Sequence, residues 1–421
     1  METDSDSIFK RIKTVYQATD LVEENHTLWV FKNVQKVQGL EEIGREELFR
    51  HQIKSSCQKM SHNGIIVRPN KNATVMIIGN HSAGKSSFIN WYVGENLQST
   101  GIALETSHFT MVTHGAKSQE IKSEGTLRLY PFLHELLQHG DKKIYGTFFA
   151  NLNTKVCNST ERSFECVDFI DTPGLTDGNV KYHCDILEVM KWLSKYVDLV
   201  LVFMDPVGQG LCNKTIDMVE FLCKNYPEKL KIYLSKADQI ENEEDLNKLY
   251  FQISASLTDR LNFQHGLHIY PFSILKNELP FPNRRDIICK DIDSCISFKT
   301  ERNISSLSTD CIFVKEHCRF LLEGDDYLRN QKNRVYMLRI LALTIFVLII
   351  LNCLKLIPLP INDLLLAGVG ILSTVLIAVS FMIDKKPFNS QQRARLIKWQ
   401  KYSEESLAEL ERIKEQYYDN I

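Results

Sequence analysis

Gly79-Asn80-His81-Ser82-Ala83-Gly84-Lys85-Ser86-Ser87 is the most informative segment of this chain. It follows the apolar run 73–78, which has the composition of a buried strand, and it precedes 88–92, where a helical pattern begins. The spacing is G-x-x-x-x-G-K-[ST] in its strand–loop–helix context. Backbone N–H groups of such a loop surround the phosphates, Lys85 contacts the β- and γ-phosphates, and the Ser86 hydroxyl binds Mg²⁺. The sequence therefore predicts a nucleoside triphosphate site, with phosphate contacts from Gly79, Asn80, Ser82, Ala83, Gly84, Lys85, Ser86 and Ser87.

Two more motifs each close a strand-like run. Asp171-Thr172-Pro173-Gly174 follows 164–170, and this order places Asp171 to hold Mg²⁺ through water and the Gly174 N–H to meet the γ-phosphate. Ser235-Lys236-Ala237-Asp238 looks like the [N/T]-K-x-D motif, in which the Asp carboxylate accepts two hydrogen bonds from a guanine edge and the Lys stem lies over the sugar and base. A backbone contact to the base is expected at Ser273.

The loop 104–110 is the predicted switch I segment. It must supply a hydroxyl to Mg²⁺ and the γ-phosphate, for which Thr106 is the first candidate and Thr110 the second. The predicted metal ligands are therefore Ser86, Thr106 and Asp171.

These motifs resemble those of a known family. The P-loop looks like that of the dynamins, and the run 171–240 is most similar to the EH-domain-containing dynamin-like ATPases (the EHD family). Shared features are Asp-Thr-Pro-Gly, the helical pattern 187–193, the strand pattern 197–203 and Lys-Ala-Asp-Gln-Ile at 236–240. The segment 21–26 is also similar to that family's helical lead-in. The resemblance covers roughly residues 10–320 and implies a dynamin-type G domain, a helical stalk, membrane association and nucleotide-driven self-assembly that remodels membrane.

The sequence also departs from that family. No EH domain is recognisable after residue 320, Ser235 stands where relatives carry Asn, and relatives in this branch can use ATP. Both GTP, which we favour, and ATP therefore remain candidate substrates. His81 occupies the place of the water-orienting Gln of dynamins and either orients water or packs. Ser82 corresponds to a residue that steadies the transition state. The predicted catalytic residues are Ser82, Lys85, Thr106 and His81.

Two apolar stretches lie near the C-terminus, at 340–354 and 364–383. About 20 apolar residues span a bilayer, so the second qualifies outright and the first only with its flanking residues. A turn cluster, Pro358-Leu359-Pro360-Ile361-Asn362-Asp363, separates them. Basic residues at both outer ends place both termini in the cytosol, with a transmembrane hairpin between them; a half-inserted wedge and a buried core hairpin are the alternatives. The short first span suits a thin membrane and favours the endoplasmic reticulum over the mitochondrial outer membrane or the endosome.

Composition narrows the choice of partners. A net charge of −2 provides no electrostatic footprint for nucleic acid, and eleven cysteines without a C-x-x-C pair indicate reduced cytosolic thiols. The expected partners are the lipid bilayer and other copies of the chain, through the G domain and stalk.

The predicted fold is α/β: a P-loop dynamin-type G domain with a mainly parallel sheet, helices on both faces and the ligand at the carboxyl ends of the strands. Strands are expected near 73–79, 164–170, 197–205, 230–235 and 268–272, and 115–160 has a mixed pattern. The predicted divisions are a helical segment (1–65), the G domain (66–282), a helical stalk part (283–338), a transmembrane hairpin (339–384) and an amphipathic helix (385–421). That last helix can dock on the stalk, pair with a partner helix or lie on lipid.

Two functions from different classes fit these patterns. The first is a membrane-anchored triphosphatase that assembles on and then shapes, tethers or fuses its membrane. The second is a nucleotide-gated scaffold that does not hydrolyse, which the absence of a P-loop Gln favours.

Overall fold

The computed structural model describes residues 4–17, 39–53, 56, 64, 66–99, 108–133, 136, 148–177, 184–206, 212–261, 268–275, 278–353 and 386–419. The chain divides into two compact units. The sheet unit comprises Met1–Phe9 and Val67–Ser305, and the helical unit comprises Lys10–Ile66 and Ser306–Ile421.

An eight-stranded sheet organises the sheet unit, in the order β3-β4-β2-β5-β1-β6-β7-β8. Neighbours are parallel except β2–β5 and β3–β4, which are antiparallel. The fold is therefore the expected α/β class with a mainly parallel sheet. The strands are β1 (Ala73–Gly79), β2 (Thr110–His114), β3 (Gln119–Lys122), β4 (Asn153–Cys157), β5 (Val167–Asp171), β6 (Leu199–Met204), β7 (Leu230–Leu234) and β8 (Ile269–Pro271).

The central strands are buried throughout and mainly apolar, because both faces of the sheet are covered. Every residue of β1, β5 and β6 is buried. Alternate residues of β1 enter different cores: Met76 and Ile78 belong to one cluster, and Val75 and Ile77 to the other. This is the pattern of a strand buried on both faces. It places the carboxyl ends of β1, β5, β6 and β7 along one edge of the sheet.

Helices complete both units. They are α1 (Asp4–Gln17), α2 (Leu40–Arg45), α3 (Glu47–Arg50), α4 (Lys85–Val93), α5 (Glu124–Leu129), α6 (Ile186–Leu193), α7 (Asn213–Asn225), α8 (Glu243–Leu261), α9 (Arg285–Ser297), α10 (Lys299–Cys353) and α11 (Ser390–Asp419).

Comparison with the predicted strands shows one shift and three omissions. The strand expected at 164–170 begins only at Val167, because Glu161–Cys166 forms a short 3₁₀ segment in which Arg162 and Ser163 have positive φ. Strands β2, β3 and β4 were not predicted. They have five, four and five residues, and β3 lies exposed at the sheet edge. Strands this short and exposed do not need a continuous apolar run, which was the signal used to predict the other strands.

The helical unit is built around aromatic side chains. Phe49 packs edge-on against Phe313, His317 and Trp399. The Tyr402 hydroxyl, on α11, donates to the Val15 carbonyl (2.8 Å). Of the three arrangements open to the C-terminal amphipathic helix, the structure shows docking on the other helices of this unit.

A buried carboxylate joins two distant parts of the helical unit. Asp325, on α10, has a side chain that is 0% exposed. It accepts hydrogen bonds from Arg329 Nε, Arg393 Nη1 and the Phe388 backbone N–H, each at 2.7 Å. Arg329 also donates to the Phe388 carbonyl (2.6 Å). We call these four residues the Asp325 clamp; it holds the residues preceding the first apolar stretch beside those following the second.

Helix α10 is 55 residues long and continues without interruption into the first apolar stretch. Among the residues that the structure describes, it is the one helix whose length and composition suit a membrane crossing. Its 18-residue apolar window has a mean hydropathy of 2.3 and is 6% buried. The second apolar stretch, 364–383, and the turn before it lie outside the described residues.

Candidate nucleotide-binding site

The loop between β1 and α4 has the shape of a phosphate-binding loop. Ser82 (φ 61°) and Gly84 (φ 79°) adopt left-handed conformations, which favour glycine. A Cβ on Gly79 would lie 2.3 Å from the Phe203 carbonyl oxygen, so only glycine fits there. The buried Ala83 donates its N–H to the Asn80 carbonyl (3.2 Å) and closes the turn. Because α4 begins at Lys85, the loop leads into a helix N-terminus, where backbone N–H groups attract anions.

Lys85 is buried beneath this loop. Its ammonium donates to the carbonyls of Gly79 (3.3 Å) and Asn80 (3.1 Å). Burial lowers its pKa to about 8, although nearby Asp171 acts in the opposite direction. Two carbonyls hold a buried cation less strongly than anionic phosphates do, so a phosphate group entering the loop would compete for this ammonium.

Ser86 and Asp171 lie side by side beneath the loop. The Ser86 hydroxyl donates to Asp171 Oδ2 (2.7 Å). The other oxygen, Oδ1, is buried and has no hydrogen-bond partner among the described residues. Burial raises the pKa of Asp171, while Lys85 and the Ser86 hydrogen bond lower it in part. A hydroxyl and a carboxylate with one unpartnered oxygen are the hard ligands that Mg²⁺ prefers, completed by water and phosphate oxygens. The residues present therefore fit this ion.

The loop after β5 lies directly against the phosphate loop. The His81 N–H donates to the Leu175 carbonyl and the Leu175 N–H to the Gly79 carbonyl, both at 3.0 Å. A Cβ on Gly174 would be 2.7 Å from His81 Cα, so this contact requires glycine. The Thr172 hydroxyl fixes the start of the loop by donating to the Ile77 carbonyl (2.7 Å). Gly174 is thus held beside the P-loop.

The residues of the predicted base-reading motif cluster at the ends of β7 and β8. Ser273 Oγ donates to Asp238 Oδ1 (2.5 Å), so Ser273 meets Asp238 through its side chain. The backbone contact of Ser273 to the base stays a prediction. Ser235 donates to the Met204 carbonyl from both N–H (2.9 Å) and Oγ (3.1 Å). Lys236 has a left-handed backbone (φ 50°) and pairs with Asp205 (2.8 Å). The loops of β7 and β8 are joined by the hydrogen bond from the Ala237 N–H to the Phe272 carbonyl (3.1 Å).

The remaining candidate site residues are Ser87, Thr106 and Thr110. Ser87 lies in the first turn of α4. Thr106 falls outside the described residues, so its assignment to Mg²⁺ and the γ-phosphate stays a prediction. Thr110, the second candidate, is the first residue of β2 and lies opposite Asp171 in the sheet register.

Some contacts of the site were not predicted from the sequence. Thr215, at the start of α7, donates to the Asn80 side-chain oxygen (2.5 Å), and both residues are buried. Asn283 bonds the Ser273 backbone from both of its amide atoms, at 3.2 and 3.0 Å. Asp205, which pairs with Lys236, was also missed. Its position could have been predicted from the sequence, because it directly follows the apolar strand β6, whose carboxyl end lies at the site.

Comparison with known proteins supports the same region. Residues 75–220 match the model of the Dynamin family. EH domain-containing protein 1 from Homo sapiens is 24% identical over 256 residues, which are 58% of this chain and 46% of that protein. EH domain-containing protein 3 from Rattus norvegicus is 25% identical over 258 residues, with the same coverage. The chain spans about half the length of these curated relatives.

A solved structure, described as an oligomerised bacterial dynamin pair that senses and tethers membranes over long range, shares 15% identity. The match covers 90% of this chain and 61% of that one, with a TM-score of 0.35.

Proposed function

We propose, from the premise that this chain is a dynamin-superfamily protein related to the EH domain-containing proteins, that it is a membrane-anchored, Mg²⁺-dependent nucleoside triphosphatase. GTP is the favoured substrate. The chain self-assembles on its host membrane and remodels, tethers or fuses it.

One observation carries the proposal: Lys85, Ser86 and Asp171 converge at the carboxyl ends of β1 and β5. Lys85 and Asp171 are buried and Ser86 Oγ lies 2.7 Å from Asp171. A cation for the phosphates and oxygen ligands for a metal are what phosphoryl transfer requires, since the enzyme mainly positions groups and neutralises charge.

Each residue has a defined task in that reaction. Ser86, Asp171 and Thr106 would hold Mg²⁺, which supplies positive charge to the phosphate oxygens when bound. Lys85 neutralises charge on the β- and γ-phosphates. Ser82 steadies the transferring group, and the Gly174 N–H contacts the γ-phosphate. His81 is the candidate for orienting the attacking water, because its backbone is fixed against Leu175.

Guanine preference rests on Asp238. Ser273 holds one oxygen of its carboxylate, which orients the group so that it can accept hydrogen bonds from the N–H groups of a guanine edge. Adenine offers no matching pair of donors at that edge. Ser235 supplies no side-chain amide to brace the nucleotide, and this difference keeps ATP as the alternative substrate.

The membrane part of the proposal rests on α10. The 18-residue apolar window of α10 has a mean hydropathy of 2.3, and 6% of it is buried. In water it would expose a large apolar surface, and surfaces of this kind mark contacts with a membrane or another protein. The Asp325 clamp supports a hairpin. It holds Arg329 beside Phe388 and Arg393, which favours a hairpin whose two ends lie on the same side of the membrane. The basic residues that flank the two apolar stretches favour the cytosol for that side, with the endoplasmic reticulum the favoured membrane and the mitochondrial outer membrane or endosome the alternatives.

The first experiment tests the triphosphatase and the assembly together. Full-length protein is reconstituted into liposomes at increasing surface density, and phosphate release from GTP and ATP is measured per molecule. We expect turnover to rise with density, and vesicles to tubulate, cluster or fuse only with hydrolysable nucleotide. The test variant is Thr106→Ala, which should bind nucleotide yet lose both the rise of turnover with density and the change in the vesicles.

The rival function, a nucleotide-gated scaffold that does not hydrolyse, is favoured by His81 in the place of a Gln. Flat turnover with unchanged vesicle shape, but normal GTP binding, would replace the triphosphatase by this scaffold.

The second experiment tests the anchor. The full-length chain should resist carbonate extraction, and protease added outside sealed vesicles should remove both the sheet unit and α11. A protected α11 would contradict the hairpin and indicate a single crossing.

A further inference from the structure

Asp205 lies at the centre of the proposed nucleotide site. It follows β6, the strand between β1, which leads into the phosphate loop, and β7, which leads into the base loop. Its side chain is 4% exposed, and Oδ2 lies 2.8 Å from Lys236 Nζ. The side chain of Lys236 is 32% exposed, so the ion pair joins a buried carboxylate to a lysine at the rim of the site.

Lys236 is fixed at its backbone as well as at its ammonium. The left-handed conformation (φ 50°) sets the direction of its side chain. Two backbone hydrogen bonds hold the loop around it: Gln239 N–H to the Lys236 carbonyl (3.0 Å) and Ala237 N–H to the Phe272 carbonyl (3.1 Å). With both ends held, the aliphatic stem between them is confined to few conformations.

We propose that Asp205 is a positioning residue for the purine base. By holding the Lys236 ammonium, it keeps the aliphatic stem extended as a platform on which the flat face of the base rests. The assignment rests on the proposed function, since it needs a purine nucleotide in this site. It concerns a step before hydrolysis and is tested by binding alone.

The physical reason is conformational entropy. A free lysine has four rotatable side-chain bonds and loses much of its rotamer freedom when it is immobilised. The Asp205–Lys236 pair fixes part of that freedom before the ligand arrives, and pre-organisation of this kind improves affinity. Without Asp205 the nucleotide itself must order the stem.

This role differs from that of Asp238 in what it recognises. Asp238 reads the edge of the base and therefore distinguishes guanine from adenine. A platform touches the face of the base, which all purines share. Asp205→Asn should therefore weaken GDP and ADP by the same factor, about threefold to tenfold, whereas Asp238→Asn should weaken GDP far more than ADP.

The test is a double-mutant cycle on nucleotide affinity, measured by calorimetry with full-length protein in detergent micelles and with GDP and ADP as ligands. The single variants are Asp205→Asn, which removes the carboxylate charge, and Lys236→Met, which keeps the stem and removes the ammonium. If Asp205 acts through Lys236, each loses the same affinity and the double variant loses no more. Glu188→Gln is the control, because it breaks an ion pair of similar length (Lys191–Glu188, 2.7 Å) away from the site.

Additive losses would overturn the assignment, because Asp205 would then act on the nucleotide independently of Lys236. Unchanged affinity of Asp205→Asn would overturn it as well. A drop in unfolding midpoint without a change in affinity would indicate a structural ion pair and nothing more. Wild-type protein that bound neither GDP nor ADP would instead remove the proposed function and this assignment with it.

Discussion

Asp171 and Asp198 are two carboxylates of the sheet unit with opposite surroundings. Asp171 is fully buried, and the side chain of Asp198 is 10% exposed. Both oxygens of Asp198, which precedes β6, are satisfied: Oδ2 accepts from Lys299 (2.6 Å) and the Thr74 N–H (2.9 Å), and Oδ1 accepts from Arg302 (3.2 Å). Burial alone would raise its pKa, but the two cations bring the pKa below its ordinary value. Asp171 has one satisfied oxygen and a raised pKa.

We interpret the difference as that between a structural carboxylate and one that, under the proposed function, binds a cation. The charge of Asp198 is compensated by the chain, so it stabilises the fold. The charge of Asp171 is compensated only in part, and an unpaired buried charge is costly. Under the proposed function, a cation brought with a nucleotide would remove that cost.

The largest expected effect is the loss of Mg–GTP affinity when Lys85 is replaced. Lys85→Ala should reduce Mg–GTP affinity about 100-fold or more, because it removes the buried cation at the phosphates. The control is Lys229→Ala, since Lys229 also donates to two carbonyls, those of Ser194 and Lys195 (both 3.1 Å). Calorimetry should show normal GTP binding for this control. Equal binding by Lys85→Ala and the wild type would refute the phosphate-site assignment.

The second effect falls on stability. Lys299→Met should lower the free energy of unfolding by about 3 kcal/mol, because it leaves the largely buried Asp198 carboxylate without its nearest cation. Denaturant unfolding measures this change, and GTP affinity at temperatures where the variant is folded should stay normal. A variant as stable as the wild type would show that Asp198 and Asp171 do not differ in the way described.

The third effect concerns the base. Asp238→Asn should weaken GTP by about 2–3 kcal/mol, the cost of losing a charge-assisted acceptor, and should weaken ATP much less. Parallel calorimetric titrations give both numbers. Equal losses of affinity for the two nucleotides would show that Asp238 does not read a guanine edge. The site would then be assigned to ATP or to an unspecific nucleotide pocket.

A smaller effect follows from pH. The pKa of Lys85 is lowered to about 8, below its unfolded value of about 10.4. Between these values the unfolded chain binds the extra proton, so this group makes the ligand-free protein more stable as pH rises from about 8. Phosphate binding needs the charged ammonium, so Mg–GTP affinity should fall over the same range. Lys85→Arg, which stays charged, should bind more weakly but without this pH dependence; if it kept the same pH dependence, another group would be responsible.

Features that depend on neighbouring residues in the sequence could be predicted, and contacts between residues far apart in the sequence could not. The P-loop and the two later motifs are local signals, each following an apolar run, and five of the eight strands were predicted from such runs. Strands β2 to β4 were missed because they are short and partly exposed, so the sheet itself decides their conformation.

Pairs such as Asp198 with Lys299, and the Asp325 clamp, join residues 101, 63 and 68 positions apart. Tertiary packing sets these contacts, and no local pattern signals them. The same holds for α11: its apolar spacing predicts an amphipathic helix, but its partner is determined by the aromatic core around Phe49 and Trp399.

The most direct test compares Mg²⁺ dependence at the two aspartates. GTP is titrated calorimetrically into full-length wild type, Asp171→Asn and Asp198→Asn, with and without Mg²⁺. We expect Mg²⁺ to strengthen GTP binding by the wild type and by Asp198→Asn, and to have little effect on Asp171→Asn. Asp198→Asn should also unfold at lower denaturant, whereas ligand-free Asp171→Asn should be at least as stable as the wild type. Equal Mg²⁺ dependence in all three proteins would contradict the assignment of Asp171 as the carboxylate that awaits a cation.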